Sequence, residues 1–445
     1  MDGVPGEETI YGWIETVFER GIRRPGYPAD DWATQFCAER FREIGLERVR
    51  LEPVAIQRWE PLEWSLEVTT AGTTTRVECF PLPHAAPCDG LELDLAAWDP
   101  ADPAAVAGKA SLYPVRLSRV PAGFFLGTTG EAVDPDGTLG DEHVLPFGRE
   151  LQAVMEPSLE AGAAAFVGVL AGYPGDSHDY YVPYDGVARA IPGVWVSGSD
   201  GARLAEAVAA GPVRVRLTVR SERRPVETHT VVGELPGVDD DVVMVGSHHD
   251  GPWSSAVEDG SGIALVLAQA TYWAAQPPEA RPHRLVFLLQ GGHMVGGAGL
   301  HTYIDTHRAE LDRVVLEVHL EHAALEVDDR GVVTDRPVPR WWFTSRIPAL
   351  EDAVVDALRA EGLGRSLVLA PDAIGPQPPT DGGHYHQAGV PIVNFLTAPC
   401  YLFDAMDTLD KIDRSALVPL TRAAIRIIGS THAVSARAMR AAVVS

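Results

Sequence analysis

Lysine is almost missing from this chain: it occurs only at Lys109 and Lys411, so nearly all the basic charge is arginine. Acidic residues outnumber basic ones 62 to 36, for a formal net charge of −26. A surface of that sign repels nucleic acid and anionic membrane, and neither is expected as a partner. Cysteine is scarce as well. The four present, Cys37, Cys79, Cys88 and Cys400, are scattered without a CxxC pair, which argues against a disulfide framework or a thiolate metal site. No apolar run reaches the roughly 18 residues of a membrane span. The opening MDGVPGEETIYGW has acidic residues where a secretory leader needs a basic region and an apolar core. The compartment expected is the cytoplasm.

What is present is a globular composition, 46% hydrophobic and 22% charged over 445 residues, too long for one ordinary core. IYGWIETVFERGI and DDWATQFCAERFREIGL carry apolar residues at helical spacing, with Gly45 as a C-cap. Residues 48–105 mix short alternating runs that read as strands. From about 107 to 222, strands (AGKASLYPV, IPGVWVS, VRVRLTV) and a helix (SDGARLAEAVAAG) form a unit with its own turn signals. Beyond it, strands and helices alternate: strand 241–247, helix 262–276, strand 284–290, strand 314–322, strand 391–396 and a last helix. Such alternation predicts an α/β fold, a mainly parallel sheet flanked by helices, with ligands at the carboxyl ends of its strands.

Those ends are polar. The first strand closes on His248, His249 and Asp250, and the second on Gln290, Gly291, Gly292 and His293. The third carries Glu317, His319 and Glu321 on one face by its period of two, which puts His322 on the other. A late loop, TDGGHYHQAGVP, holds Asp381, His384 and His386, and SSAVEDGSG holds Glu258 and Asp259. The glycines of LVFLLQGGHMVGGAG follow a later strand than a dinucleotide fingerprint requires, and no acidic ribose partner is evident. Histidine mixed with carboxylate points instead to a divalent metal: Zn, with Mn or Fe as alternatives.

The residues also match a known pattern. ETHTVVGELPGVDDDVVMVGSHHDG, AVEDGSGIALVLAQA, VFLLQGGHMVGGAGLHTYI, VHLEHAALE, TDGGHYHQAGVPIVNF and DTLDKID resemble the M28 family of zinc aminopeptidases and carboxypeptidases. Residues 107–222 resemble the protease-associated (PA) domain that some members carry as an insert, leaving 1–106 and 223–445 as the metallohydrolase domain. The resemblance implies a phosphorylase/hydrolase-like fold, His248 as a metal ligand oriented by Asp250, Glu258 as the bridging carboxylate with Asp259 beside it, and Glu321 as a further ligand. It also implies losses. The family's Glu-Glu pair, base and ligand, falls on Gly291 and Gly292, and its last histidine ligand falls on Phe403.

Two readings compete. Either the chain keeps the fold for binding or as a scaffold, or the site has been rebuilt around one metal. The histidines gained at 249, 293, 322, 384 and 386 favour rebuilding. The expectation is a metal-dependent hydrolase of an amide or related C–N bond in a small molecule or short peptide. A non-hydrolytic metalloenzyme on the same scaffold is a further alternative. His248, Glu258, His293, Glu321 and His384 are the candidate ligands, and Asp250, Asp259 and His293 the candidate catalytic groups. Trp253 and His386 are candidate substrate contacts. The Trp341-Trp342 pair and the loop HDYYVPYDG (178–186) are further candidates for the substrate wall.

Overall fold

The computed structural model describes residues 2–146 and 152–443. The chain begins with α1 (Glu7–Phe18) and α2 (Pro28–Ile44). Ile10, Ile14 and Val17 fall on one face of α1 and are fully buried, each worth roughly 1.5–3 kcal/mol of burial. Gly45 ends α2 at φ 98°, the left-handed cap that glycine adopts most easily. Two long antiparallel strands follow, β1 (Glu47–Thr70) and, much later, β2 (Val213–Leu235). Then come β3 (Val242–His248), α3 (Gly262–Ala274), β4 (Arg284–Gln290), β5 (Val314–Leu320), β6 (Arg340–Thr344), α4 (Pro348–Ala360), β7 (Ser366–Leu369), β8 (Ile392–Thr397) and α5 (Arg414–Ser430).

The sheet order through this half is β2-β4-β3-β5-β8-β6-β7. Its centre, β4-β3-β5-β8, is parallel throughout, the arrangement expected of strands buried on both faces. In β3 and β4 the two faces separate by alternation. Val243, Val245, Leu285, Phe287 and Leu289 join the core under α1, α3 and α5. Val242, Met244, Val286 and Leu288 face the opposite core, with Leu300, Tyr303 and Tyr385. Because the central strands run in parallel, residues 248, 290, 320 and 397 end on one edge.

β1 and β2 run from one half of the sheet to the other, with a register shift between Pro61 and Glu63. In the other half a second core begins at Leu66 and Val68 and includes Leu95, Ala110, Val167, Val194 and Val215. The second core therefore starts well before residue 107. Conversely, Glu131–Val133 pairs with β7 and Phe125 packs on Trp341, ring centroids 5.5 Å apart, so part of 107–222 belongs to the other side.

Candidate metal centre

The floor of the cleft is set by how β3 ends. The His248 ring is fully buried, and its Nδ1 lies 2.9 Å from the main-chain oxygen of Asp250. His322 ends the segment after β5, with its Nδ1 2.8 Å from the Thr397 carbonyl oxygen. A carbonyl only accepts, so in each neutral ring Nδ1 carries the hydrogen and Nε2 presents a lone pair. Both Nε2 atoms face Glu258: His248 at 3.4 Å from Oε1 and His322 at 2.5 Å from Oε2. One ligand atom from each of the three lies within 4.8 Å of the others. None of these atoms has an aligned hydrogen-bond partner.

Three buried electron-pair donors turned on one another need a cation between them or protons on the rings. Two imidazoles and a glutamate are a ligand set of catalytic zinc, which keeps one position open. The residues therefore fit a divalent metal.

Where only protons are present, the electrostatics are extreme. Burial pulls the His322 imidazole down, but the Glu258 charge outweighs it and lifts it to about 10. Burial acts to raise Glu258, yet His322 and His248 hold it far below the usual carboxylate range. His248 is raised too, against burial and the neighbouring His293, by Glu258 and Asp259.

The loop presenting Glu258 is clamped from outside the site. Asp407 accepts the N–H groups of Val257 and Glu258, both at 2.8 Å. The buried Arg23 guanidinium donates to the carbonyls of His249 (3.2 Å), Ser254, Ser255 (2.9 Å) and Glu258 (3.4 Å). Asp259 accepts from Ser247 Oγ and from Gly262 N at 2.9 Å, capping α3; its Oδ2 is 4.0 Å from His248 Nε2.

His293 stacks on His248, centroids 4.0 Å apart at 7°. Its Nδ1 is 2.8 Å from Asp381 Oδ1, and its Nε2 is 3.7 Å from Glu258 Oε1. Burial lowers it, and Asp381 more than compensates, lifting it to about 10. Glu321 sits beside the group, its Oε1 3.0 Å from His319 Nε2, while His319 Nδ1 is 3.0 Å from Glu317. A cavity of about 60 Å³ opens over these groups, lined by Glu258, His293, Glu321 and His322 and walled by Tyr184, Trp341, Leu396, Leu402 and Phe403.

Several expected residues lie elsewhere or act differently. His322 was expected to face away from Glu321 and instead completes the three-ligand group. The strand stops at Leu320, and His322 takes φ 57°, so the period of two no longer applies. Asp250 does not orient His248 through its carboxylate, which is 4.0 Å from Nδ1; it accepts the N–H groups of His293 (3.1 Å) and Met294 (2.8 Å). His384 packs on His301 at 4.5 Å and approaches Gln377 Nε2 at 3.3 Å, outside the ligand group. His386 lines a separate cavity of about 350 Å³ with Arg346 and Asp372. Trp253 donates its indole N–H to the Phe403 carbonyl at 3.1 Å and packs on Arg24 and Phe80. Of the tryptophan pair, Trp341 lines the cavity and Trp342 packs at a tilt against Phe395 in the core.

At the end of β4, Gly291 is closed by its surroundings and Gly292 is held in a left-handed conformation. A Cβ on Gly291 would lie 2.7 Å from the His229 carbonyl oxygen and 3.0 Å from His249 Nε2; Gly292 has φ +84°. His249, gained next to His248, is a structural residue there, bound to Asp30 at 2.9 Å and to the His229 carbonyl at 2.8 Å.

Residues 230–428 match the sequence model of Peptidase family M28. Leucine aminopeptidase 2 of Arthroderma otae is 33% identical over 132 residues, 29% of this chain and 25% of that protein. The chain thus spans about a quarter of the curated relative it matches. A peptidase M28 precursor from Shewanella amazonensis has the same fold, with a TM-score of 0.74 at 20% identity over 96% of this chain and 93% of that one. BSAP, a zinc aminopeptidase from Bacillus subtilis, superposes with a TM-score of 0.69 at 16% identity, covering 97% and 96%. Residues 230–428 thus carry the sequence signature of Peptidase family M28, and the chain as a whole shares the fold of these solved structures.

Proposed function

We propose that this protein is a metal-dependent hydrolase that cuts an amide bond in a short peptide or related small molecule, using one zinc ion. The observation that carries the reading is the convergence of His248 Nε2, Glu258 and His322 Nε2, three buried donors facing one point. A zinc ion bound there supplies a water of lowered pKa and polarises the substrate carbonyl. The chain's own residues do the rest. His248 and His322 are fixed as Nε2 donors by main-chain carbonyls at their Nδ1 atoms, and such partners set both tautomer and ring angle. His293, tied to Asp381, turns its Nε2 toward the cavity, where it can exchange a proton with the leaving nitrogen. Glu321 lies beside the group as a further ligand or hydrogen-bond acceptor. The apolar walls exclude bulk water.

Among the described residues no helix is long and apolar enough to cross a membrane.

The test is hydrolysis of a panel of amino-acid amides and dipeptides by chelator-treated protein, before and after adding zinc, manganese or iron(II). Activity restored by a metal and abolished in Glu258→Gln is expected. Turnover that survives complete metal removal, or none with any of the three metals, would overturn the reading and leave a binding protein on a peptidase fold.

A further inference from the structure

We infer that Arg24, Trp59 and His84 form a second, buried site for a small monovalent anion, chloride or a single carboxylate group, apart from the candidate metal group. The site does not depend on the hydrolase reading.

The first observation is a buried cation without a counter-ion. Arg24 is 3% exposed, and its Nε donates to the Pro252 carbonyl at 2.7 Å. Its Cζ lies 4.5 Å from the Trp253 ring, 4.6 Å from Tyr181 and 5.4 Å from Phe80. Ring faces attract a guanidinium, but they leave its edge unmet, and Nη2 has no hydrogen-bond partner. Among the described residues no carboxylate pairs with Arg24, whereas Arg58 has Glu60 at 2.6 Å and Arg189 has Asp185 at 2.7 Å. A buried charge left without an opposite one is costly.

The second is that further buried polar groups without partners gather beside it. Trp59 and His84 are each 2% exposed, with ring centroids 5.8 Å apart. Trp59 lies 6.0 Å from the same Tyr181 ring that Arg24 covers. The Trp59 indole N–H has no partner, and neither ring nitrogen of His84 has one. Such groups are normally satisfied. A guanidinium and an indole only donate, so a partner common to both must accept. Burial, with Arg223 and Arg189 adding to it, pushes the His84 imidazole down to about 3; the neutral ring offers one more N–H. A water molecule also accepts, but only an anion offsets the Arg24 charge as well. Interiors leave few voids larger than a water molecule, so the anion is small.

The third is position. Tyr27, whose ring centroid is 5.8 Å from the Arg24 Cζ, and Trp253 are only half-buried, which puts solvent close to the site. Tyr181 N and the Trp253 indole both donate to the Phe403 carbonyl, at 2.9 and 3.1 Å. The anion thus lies one layer behind the wall that carries Phe403.

The test is the chloride NMR linewidth of the purified protein, titrated with sodium chloride in a gluconate buffer. Saturable broadening is expected, and the same broadening after chelator treatment. Trp59→Phe keeps the ring and removes only its N–H; losing a hydrogen bond to a charged group should weaken chloride binding about 10-fold or more. Arg24→Gln should abolish it; where that variant does not fold, Trp59→Phe decides alone. Formate should displace chloride. Displacement by N-acetylalanine too makes a peptide carboxylate a source of the anion, and displacement by formate alone makes it a free ion. No saturable broadening, equal broadening in Trp59→Phe, or broadening lost with the metal would overturn the inference.

Discussion

The two sides of this cleft grow from the same parallel strand ends and have opposite chemistry. On one side His248, Glu258 and His322 are buried with donor atoms turned on each other. On the other, where the family resemblance calls for two glutamates and a histidine, there are Gly291 with no room for a side chain, Gly292 in a left-handed conformation, and a phenylalanine packed among aromatic rings. The difference teaches that the apolar side is packed as closely as the polar side. A position that merely lost its ligands should be loosely filled; here the space behind Gly291 is taken by His249, whose Nδ1 lies 2.9 Å from Asp30, and on the polar side His322 stands beside Glu258.

The largest expected effect lies in the clamp on the polar side. Arg23→Ala leaves the buried carbonyls of His249, Ser254 and Ser255 without their donor and should cost about 3–5 kcal/mol in urea unfolding. A loss under about 1 kcal/mol would mean that the Glu258 loop holds itself.

On the apolar side the corresponding buried charge is Asp404. Burial pushes its carboxyl up from 3.8 to about 7. Between those values the folded protein holds a proton that the unfolded chain has released, so stability falls as pH rises from about 4 to 7 and is level beyond. At about 1.4 kcal/mol per pH unit, the fall from this group is at most about 4 kcal/mol. Asp404→Asn should remove that part of the slope in unfolding curves taken from pH 4 to 8. Asp407, also raised to about 7 by burial, keeps its own part. An unchanged slope would show that Asp404 is ionised in the fold.

A smaller effect separates closed space from vacancy. Gly291→Glu should destabilise by about 1–3 kcal/mol through overpacking and bind no additional metal. A stable variant holding a second zinc would break the contrast between the two sides. Smallest of all, His384→Ala and His386→Ala should leave zinc affinity within about twofold, since neither ring belongs to the ligand group and substitutions away from such a feature change little.

Much of this architecture is readable from the chain. The apolar runs of β3 and β4, α2 with its glycine cap, and the polar residues closing each strand follow from period and composition. Other features depend on events that leave no periodic trace. The limit between the two cores is hidden because β1 and β2 alternate in the same way on both sides of it: Leu66 and Val68 belong to one core, Val54 and Ile56 to the rest of the molecule. His322 is misjudged by alternation because one left-handed residue turns it back. In TDGGHYHQAGVP the short helix Gly382–Gln387 buries Tyr385 and leaves Asp381, the less conspicuous residue, to meet His293. Arg23 is one of an arginine pair, Arg23-Arg24, far from any motif, and only the folded loop gives it four carbonyls to hold.

The most direct measurement is zinc content per chain by elemental mass spectrometry, with dissociation constants from chelator competition, for the native protein beside His322→Ala and Gly292→Ala. The account predicts one zinc in the native protein and a loss of affinity in His322→Ala beyond the roughly 10- to 100-fold that losing an outer partner costs, with zinc retained in Gly292→Ala. Full zinc affinity in His322→Ala would contradict it, because the site would then be built without the residue that distinguishes its polar side.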